Sequence, residues 1–467
     1  MIFALVISLA APILAAYALV RAVGPPDSHH RANLAMRWPL AVGLGLGLAS
    51  SSYFLWRVFF GDTGGTYQIT ESAIYLIAAG VLWCKKGPRM VADEPPSLAA
   101  SLVLRRIVQI SCLLGIPVCV AALIIMLLAA PHGEWDGWAI WNMRARFLFR
   151  GGEHWRDAFD PRLSWSHPDY PLLLPGAIAR SWAYVGREST VVPATIAILF
   201  ALATAGLVAG VIAKLRGATT GLLAGLVLLS TDYYLRHGAY QYADTPLSFF
   251  ILATLALTFL HARRPDQEPG LLALAGLCAA CAAWTKNEGL LFLLCWVVAL
   301  WLARILPGPR GSRGRLLLAW IAGLVPIAAI IIYFKVTLAP DNDLAAAFSA
   351  QKMLAYLADP ARYTTIARFF GKALLEFGKS VGPLLAIYWL LVGRSHQPSD
   401  RRGLTCCLVV VGLMSAGYFS IYLLTPLDLV WHLKTSGHRL ILQLFPAALL
   451  LVFTSAAGLD SPGGPAK

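Results

Sequence analysis

Long apolar runs recur along the whole chain and constrain its fold more than any other feature. Each run has roughly 17–25 residues, the length that an α-helix needs to cross the hydrocarbon core of a bilayer. The composition agrees, since 58% of the 467 residues are hydrophobic and only 13% are charged. Backbone groups in lipid must hydrogen-bond within their own segment, and helices satisfy this requirement. We therefore predict an all-α polytopic membrane protein with about thirteen transmembrane helices, at residues 2–20, 38–60, 67–84, 107–130, 191–213, 217–231, 244–261, 270–284, 289–304, 316–336, 376–393, 404–424 and 439–457.

Basic residues are distributed unevenly among the connections between these runs. Short basic connections alternate with connections that carry little excess positive charge. The positive-inside rule places the basic set and the C-terminus in the cytoplasm and the N-terminus outside. The net charge of +14 is then a topology signal, and no nucleic-acid partner is expected, because no basic and aromatic cluster lies on a soluble segment. The basic set comprises Arg21, Arg31, Arg37, Lys85, Lys86, Arg89, Arg105, Arg106, Lys214, Arg216, Arg263, Arg264, Arg304, Arg310, Arg313, Arg315, Arg394, Arg401 and Arg402.

The outer face holds the unusual segments. Two long connections, 131–190 and 338–375, fall there, and the shorter outer connections are rich in His, Asp, Tyr and Lys. Because binding and catalytic residues concentrate on loops, we expect function on this face. The first run lacks a basic n-region and a small-residue cleavage site, so we predict a retained helix rather than a signal peptide. Cys278 and Cys281 have C-x-x-C spacing within a small-residue helix, which favours packing over a metal or redox site.

The first outer connection opens with two carboxylates among tryptophans. Glu134 and Asp136 stand beside Trp135, Trp138 and Trp141, just after an apolar run. Carboxylates beside a bilayer are costly, so Asp136 is the leading candidate for a reacting group. The following segment, 138–146, has helical spacing and is interpreted as an interfacial helix with Trp anchors and with Arg facing lipid head groups.

His167 and Asp169 follow in the segment Ser166–Pro175. Prolines at 168 and 171 bracket Asp169 and make the backbone stiff and extended, which suits a pocket wall. We predict that both residues position a substrate. The alternative is an interfacial loop with solvated charges.

Two further clusters lie at the ends of later runs. Tyr242 and Asp244 precede the run 244–261, where Asp244 is either a second site carboxylate or a helix N-cap. Lys286 and Glu288 interrupt an apolar stretch. Lysine at membrane depth is expensive and is usually functional, and it can hold a phosphate as a point charge. A mutual ion pair in a tight outer hairpin is the alternative.

The fourth cluster precedes the last run and is basic. It contains His432, Lys434, His438 and Arg439 within eight residues. Anion binding is the natural role, above all for Arg439 at the predicted start of a helix. Ordinary interfacial snorkelling is the alternative.

All four clusters fall on one face in the predicted topology. Carboxylates from two connections and cations from two others fit one task, which is to hold a lipid-linked phosphate while a base activates an acceptor. The sequence has no phosphate-binding glycine loop, no dinucleotide fingerprint, and neither the H-E-x-x-H nor the G-x-S-x-G motif.

At these residues the chain resembles the membrane-embedded GT-C glycosyltransferases, in particular the bacterial branch of lipid A aminoarabinose transferases and protein O-mannosyltransferases. The resembling elements are Asp136 in the first large outer connection, Asp244 before a later run, the turn Thr285–Gly289 with Lys286, and Arg439. The resemblance covers about residues 105–458. It implies a catalytic module at 106–458, accessory transmembrane helices at 1–105 and a short cytoplasmic tail at 459–467.

The resemblance also implies the chemistry. Asp136 would be the general base, Asp244 would position the acceptor or donor sugar, and Lys286 and Arg439 would bind the donor phosphate. The donor would be a polyprenyl-phosphate sugar, transferred with inversion to a glycan, lipid or protein acceptor on the outer face of the bacterial inner membrane. Confinement of the donor to the membrane supplies proximity, and cations stabilise the leaving phosphate.

No cofactor is expected from this chemistry. A divalent metal is conceivable because Asp, Glu and His are present, but their spacing forms no recognisable ligand set. Two competing functions remain, a transporter or flippase for a lipid-linked or anionic solute, and a polymerase or ligase of surface polysaccharide. A transporter is expected to place charges near mid-helix in repeated halves, and this sequence has no convincing internal repeat.

Overall fold

The computed structural model describes residues 1–24, 30–85, 102–263, 269–306, 313–341, 349–379 and 381–460. Several sequence predictions fall elsewhere. The side chain of Arg31, the residues Lys86, Arg89, Arg264 and Arg310, positions 342–348 of the second outer connection, and positions 461–467 of the tail lie outside the described residues.

The described residues are almost entirely helical and contain no β-strand, as predicted. A π-helical turn, Gly137–Asn142, and three short 3₁₀ segments, Gly152–Phe159, Pro161–Ser166 and Pro398–Asp400, supplement the α-helices. The α-helices are α1 (Ile2–Val23), α2 (His30–Phe59), α3 (Gly65–Cys84), α4 (Leu102–Ala129), α5 (Met143–Arg150), α6 (Leu173–Val185), α7 (Val191–Arg216), α8 (Ala218–Ser230), α9 (Asp232–Ala239), α10 (Asp244–Arg263), α11 (Pro269–Thr285), α12 (Asn287–Leu302), α13 (Arg313–Thr337), α14 (Ala350–Leu357), α15 (Pro360–Gly378), α16 (Val381–Val392), α17 (Arg401–Leu424) and α18 (Leu429–Ser455).

Eight helices in the described part of the chain are long and apolar enough to cross a membrane, or nine if α15 and α16 together form one bent span. The eight are within α1, α2, α4, α7, α10, α13, α17 and α18. Helices α8, α11 and α12 are apolar but shorter. The longest of these, α11, has 17 residues, which at 1.5 Å per residue gives about 25 Å against a hydrocarbon core of about 30 Å. The membrane-helical character is therefore supported, while the count of thirteen spans stays a prediction.

Helix α10 forms the centre of the bundle. Every residue from Asp244 to Ala262 is buried, and the helix packs against α7, α11, α17 and α18. A helix that is hydrophobic all round is an interior helix. Its first residue, Asp244, is thereby held among several neighbouring helices rather than at the periphery.

The N-terminal helices pack directly against the rest of the bundle. Helix α1 contacts α6, and α2 contacts both α6 and α7. A buried ion pair joins α3 to α6, with Arg180 Nη2 2.8 Å from Glu71 Oε2. The predicted accessory unit at 1–105 thus shares a continuous core with the predicted catalytic module. Its separate role stays a prediction.

Two helix positions differ from the sequence prediction. Helix α6 occupies part of the predicted outer connection 131–190, where its 13 residues are too few to register as a span. Helix α18 starts at Leu429 rather than near 439, because the Asp428 side chain accepts a hydrogen bond from the Trp431 backbone amide and caps the helix. The prediction that Arg439 opens a helix is therefore wrong.

Candidate active site

Asp136 and Arg439 meet although 303 positions separate them in the sequence. Asp136 lies at the start of the π-helical turn that follows α4, and Arg439 projects from α18. Arg439 Nη1 donates a hydrogen bond to Asp136 Oδ2. The two side chains are only 18% and 17% exposed. This charged pair joins the predicted first outer connection to α18.

Asp244 is the buried centre of the same cluster. Its Oδ1 accepts hydrogen bonds from Lys286 Nζ at 3.0 Å and from Gln443 Nε2 at 2.6 Å. Its Oδ2 lies 3.8 Å from Arg439 Nη1. The side chain is 0% exposed, so its charge is balanced by protein cations rather than by water. These contacts run to two other segments, the α11–α12 break and α18, so Asp244 links the two and is not merely the N-cap that the sequence also allowed.

Lys286 occupies the break between α11 and α12. Its backbone is extended, with φ −153°, and its Nζ lies 2.8 Å from Glu288 Oε1 as well as 3.0 Å from Asp244 Oδ1. The ion pair that the sequence left open as an alternative is present, but it is part of a larger network. Gly289 permits the tight hairpin, because a Cβ there would lie 1.9 Å from the Ala282 carbonyl oxygen.

The five charged residues carry three negative and two positive charges in their ordinary states. Asp136, Asp244 and Glu288 are the acids, and Lys286 and Arg439 are the cations. An imbalance of one negative charge in a site that is largely shielded from water is unfavourable unless another positive group or a proton compensates it. We call these residues the charged cluster.

A cavity of about 390 Å³ opens beside the charged cluster. Lys286, Glu288 and Arg439 are its charged lining residues, and apolar side chains of α12, α17 and α18 form much of the remaining wall. We call it the first cavity. Its other lining residues are Tyr170, Asn287, Leu291, Ser420, Ile421, Tyr422, Leu424, Thr425, His432, Ser436 and Leu440.

His432 is the second predicted site residue of α18 that lines this cavity. Its Nδ1 lies 2.9 Å from Thr425 Oγ1, and its ring is 4.7 Å from that of Tyr422. The imidazole is therefore oriented by neighbours in α17 and in the α17–α18 connection.

His438 and Lys434 point elsewhere. His438 Nε2 lies 3.4 Å from Glu376 Oε2, at a different cavity. Lys434 is exposed and does not line the first cavity. Residues 432, 436 and 439 share one face of a helix by their spacing, whereas 434 and 438 do not. The structure therefore brings only Arg439 and His432 of this basic set to the first cavity.

Asp169 is buried at 2% exposure and faces the α11–α12 hairpin. Its Oδ2 accepts from Asn287 Nδ2 at 2.7 Å, and its carbonyl oxygen accepts from Lys335 Nζ at 2.6 Å. Lys335 also donates to Asn287 Oδ1 at 2.8 Å. Asp169 does not line the first cavity. It fastens the proline-bracketed segment to α12 and α13.

His167 and Tyr170 form an aromatic stack beside the charged cluster. Their ring centroids are 4.9 Å apart, and Trp141 stacks on Tyr170 at 5.8 Å. His167 adopts a left-handed backbone with φ 51°. Burial raises the pKa of Tyr170 above its ordinary value, so the phenol is protonated at pH 7 and is available as a donor. Tyr170 lines the first cavity, whereas His167 supports it from behind.

Tyr242 and Glu134 lie on the opposite side of Asp136. The Arg439 guanidinium is 5.5 Å from the centre of the Tyr242 ring. Glu134 is exposed, and its backbone amide donates to the Tyr240 carbonyl oxygen at 3.3 Å. Glu134 thus holds the connection before Asp136 through its backbone.

The prediction that the arginines of segment 138–146 face lipid head groups is wrong for Arg144. Arg144 is 0% exposed and donates hydrogen bonds to the carbonyl oxygens of Ser166, His167 and Tyr170. Trp141, predicted as a membrane anchor, is also buried. Unpaired loop carbonyls need donors, and the arginine fork supplies several at once. Arg144 thereby fixes the segment that carries the Tyr170 wall to the helix that follows Asp136.

Sequence reasoning missed three polar residues of the site. Gln443, Asn287 and Lys335 each bond a predicted site residue. Asn287 lies in the turn Thr285–Gly289 that was singled out for Lys286, and Lys335 was visible as a lone cation near the end of an apolar run, but neither was assigned to the site. Among the described residues, no group of three or more His, Cys, Asp or Glu side chains could hold a metal ion.

Comparisons with known proteins give no match: no protein-family model, no curated protein and no solved structure is significantly similar to this chain. The likeness to GT-C glycosyltransferases therefore rests on the short motifs described above. Function has to be argued from the charged cluster and the first cavity.

Proposed function

We propose that the protein is an integral-membrane glycosyltransferase that moves a sugar from a polyprenyl-phosphate donor to an acceptor on the outer face of a bacterial inner membrane. The observation that carries this proposal is that three residues of the charged cluster, Lys286, Glu288 and Arg439, line the first cavity together with apolar side chains, and that Arg439 bonds Asp136. The fold of the GT-C enzymes and the predicted orientation of the termini belong to the same proposal.

The first cavity matches an amphipathic ligand. Lys286 and Arg439 offer positive charge, and Leu291, Ile421 and Leu440 offer apolar surface in the same cavity. A polyprenyl phosphate combines complementary features, an anionic head and a hydrocarbon tail. Ligand sites of this type combine an apolar lining with a few polar groups that fix orientation.

Donor binding would change the partner of Arg439. In the structure this guanidinium pairs with Asp136, and the phosphodiester of the donor offers a competing anionic acceptor for bidentate hydrogen bonds. When Arg439 turns to the phosphate, the Asp136 carboxylate loses its counter-ion and becomes a better base. Binding of the donor would therefore activate the base at the moment it is needed.

The transfer step follows from this arrangement. Asp136 accepts the proton of the acceptor hydroxyl or amine, whose lone pair forms a bond to the anomeric carbon. The bond from that carbon to the phosphate oxygen breaks, and its electron pair stays on the phosphate. Lys286 and Arg439 stabilise the charge that develops there. Attack from the face opposite the phosphate inverts the anomeric centre. The step requires no cofactor.

The remaining predicted residues have supporting roles in this proposal. Asp244 and Glu288 hold Lys286 in place, and Asp169 and His167 support the wall that carries Tyr170. His432 lines the cavity at the level of the connection after α17. Tyr242 orients the Arg439 guanidinium.

Turnover is the decisive measurement. Purified protein is incubated with a panel of polyprenyl-phosphate sugars, and release of free polyprenyl phosphate is followed with and without candidate acceptors. Acceptor-dependent release supports the proposal, and growth of a polymeric product would assign the polymerase alternative. Absence of release from every donor, together with vectorial movement of a lipid-linked substrate in proteoliposomes, would replace glycosyl transfer by transport.

A further inference from the structure

A second cavity lies on the other side of α18 and plays no part in donor binding. Its volume is about 310 Å³. It is bounded by the start of α9, the end of α15 and the middle of α18. Its lining residues are Thr231, Asp232, Tyr233, Glu376, Phe377 and His438.

Aromatic rings form one wall of this second cavity. Tyr233 packs 5.4 Å from Phe377 and 5.8 Å from His438. The His237 ring stacks beneath Tyr233 at 4.0 Å, with an interplanar angle of 25°. Burial lowers the pKa of His237 to about 4, so the supporting ring is neutral at pH 7. Tyr233 is only half-buried, and its ring therefore offers surface to a ligand.

The polar groups at the rim are electrically balanced. Arg236 Nε lies 2.8 Å from Asp232 Oδ1, and Lys372 Nζ lies 3.7 Å from Glu376 Oε1. These four side chains are at least half exposed, so the mouth of the cavity faces water or head groups rather than hydrocarbon. With each carboxylate matched by a cation, a charged ligand gains little net attraction. The carboxylates still accept hydrogen bonds from hydroxyl groups.

The second cavity is close to Asp136. His438 lines it, and the next residue, Arg439, lines the first cavity and bonds Asp136. Both cavities therefore contact the same turn of α18, and their separation is on the order of one helix diameter, about 10 Å. Tyr242 lies between neighbours of the two cavities, since its ring is 5.5 Å from the Arg439 guanidinium and 5.8 Å from the ring of His237, which stacks on Tyr233.

From these observations we propose that the second cavity binds the acceptor, and that the acceptor is a neutral, hydroxyl-rich glycan. A sugar ring would lie against the Tyr233 ring, and its hydroxyl groups would donate to Asp232 and Glu376 and exchange hydrogen bonds with His438 and Thr231. The first cavity would deliver the donor from the membrane, while the acceptor would arrive from the aqueous side. The assignment as an acceptor site rests on the proposed function, whereas glycan binding does not.

Direct binding to an array of immobilised neutral glycans tests the site. The full chain is purified in a detergent without sugar head groups, which would compete. Wild type is expected to bind at least one neutral glycan, and Tyr233→Ala to weaken that binding about tenfold. Tyr233→Phe keeps the ring and should bind like wild type. Tyr363→Ala removes a tyrosine of α15 that lies outside the cavity lining and serves as the matched control, with thermal unfolding as the check of folding.

The outcomes separate the two proposals. Glycan binding that depends on Tyr233, in a protein without donor turnover, would uphold the site and overturn glycosyl transfer. Donor turnover with an acceptor KM that Tyr233→Ala leaves unchanged would overturn the site and uphold the transfer. Failure of wild type to bind any neutral glycan, or binding of cationic amines alone, would also overturn the site.

Discussion

Replacing Asp136 by Asn should change turnover and donor binding in opposite directions. The substitution removes the proposed base but keeps the size of the side chain. A general base contributes roughly 10²- to 10⁴-fold to the rate, which corresponds to about 2.7–5.5 kcal/mol in activation free energy. Release of polyprenyl phosphate should fall by that factor.

Binding of the phosphate should instead become tighter. In the wild type Asp136 competes with the phosphate for Arg439, because Arg439 Nη1 donates to Asp136 Oδ2. Two unit charges about 4 Å apart attract by about 4 kcal/mol at an effective dielectric constant of 20. The 17% and 18% exposure of the pair admits screening, and Asn retains a neutral hydrogen bond. We therefore expect a net gain of about 1.4 kcal/mol, which is a tenfold lower Kd.

The assay combines two measurements on the same preparations. Titration with a short-chain polyprenyl phosphate gives Kd, and single-turnover release from a polyprenyl-phosphate sugar gives the rate of the chemical step. Asp157→Asn is the matched control, because Asp157 lies in the same predicted outer connection. Its side chain is 62% exposed, and its Oδ2 lies 3.9 Å from His154 Nδ1. Lost turnover accompanied by weaker phosphate binding would refute the reasoning, because Asp136 would then only brace Arg439. Unchanged turnover would remove Asp136 from the chemistry.

Three further changes test the charged cluster and its surroundings. Glu288→Gln should lower the Kd for polyprenyl phosphate by about tenfold, because it removes a negative charge beside Lys286; a raised Kd in the same titration would contradict this. Lys286→Met should lower the free energy of unfolding by about 3–5 kcal/mol, because it leaves the fully buried Asp244 without its closest cation; denaturation in detergent that shows no loss would refute it. His237→Gln should reduce the loss of thermal stability between pH 6.5 and about 4. Burial lowers the pKa of His237 in the folded chain from 6.5 to about 4, so in that range only the unfolded chain takes up the proton. An unchanged pH profile would show that other groups cause the loss.

The sequence predicted the helical architecture because transmembrane helices leave a strong local signal. Long apolar runs such as 107–130 and 191–213 correspond to α4 and α7 with modest boundary errors. Helix α6 left no such signal, although α8, which is equally short, was predicted as the run 217–231. Helix α6 is apolar and almost wholly buried, but its 13 residues fit a loop as readily as a span. Its position became visible only from tertiary packing against α1 and α2.

The charged cluster shows how far site residues can be grouped from the side of the membrane on which they are predicted to lie. Asp136, Asp244, Lys286 and Arg439 were grouped because they fall on one face of the predicted membrane, and the structure brings all four into contact. Their roles in catalysis stay predictions. Gln443 could not be grouped with them from the sequence, since it lies inside an apolar run and its contact with Asp244 spans 199 positions.

Helix register explains the mixed outcome for the last basic segment. The interpretation of Lys434, His438 and Arg439 as one anion site placed Lys434 and His438 in a loop before a helix that Arg439 begins, so that their side chains could turn to a common ligand. In a helix that begins at Leu429, successive residues are rotated by about 100°. Arg439 then lies with His432 on the first cavity, and His438 is committed to the second. Because the helix capped by Asp428 begins at Leu429, its register leaves Arg439 as the cation of this segment that can contact the proposed donor.

The charge balance of the cluster places a further demand on any phosphate ligand. Three carboxylates face two cations, so a phosphate that approaches Lys286 and Arg439 adds negative charge to a site that is already short of positive charge. The further negative charge that develops on the phosphate during transfer is tolerated only if a carboxylate takes up a proton at the same time. Transfer of the acceptor proton to Asp136 provides such a neutralisation in the same step that creates the phosphate charge. The excess of carboxylates over cations weakens a purely structural interpretation of the charged cluster. It is consistent with a site in which one carboxylate becomes protonated during each turnover.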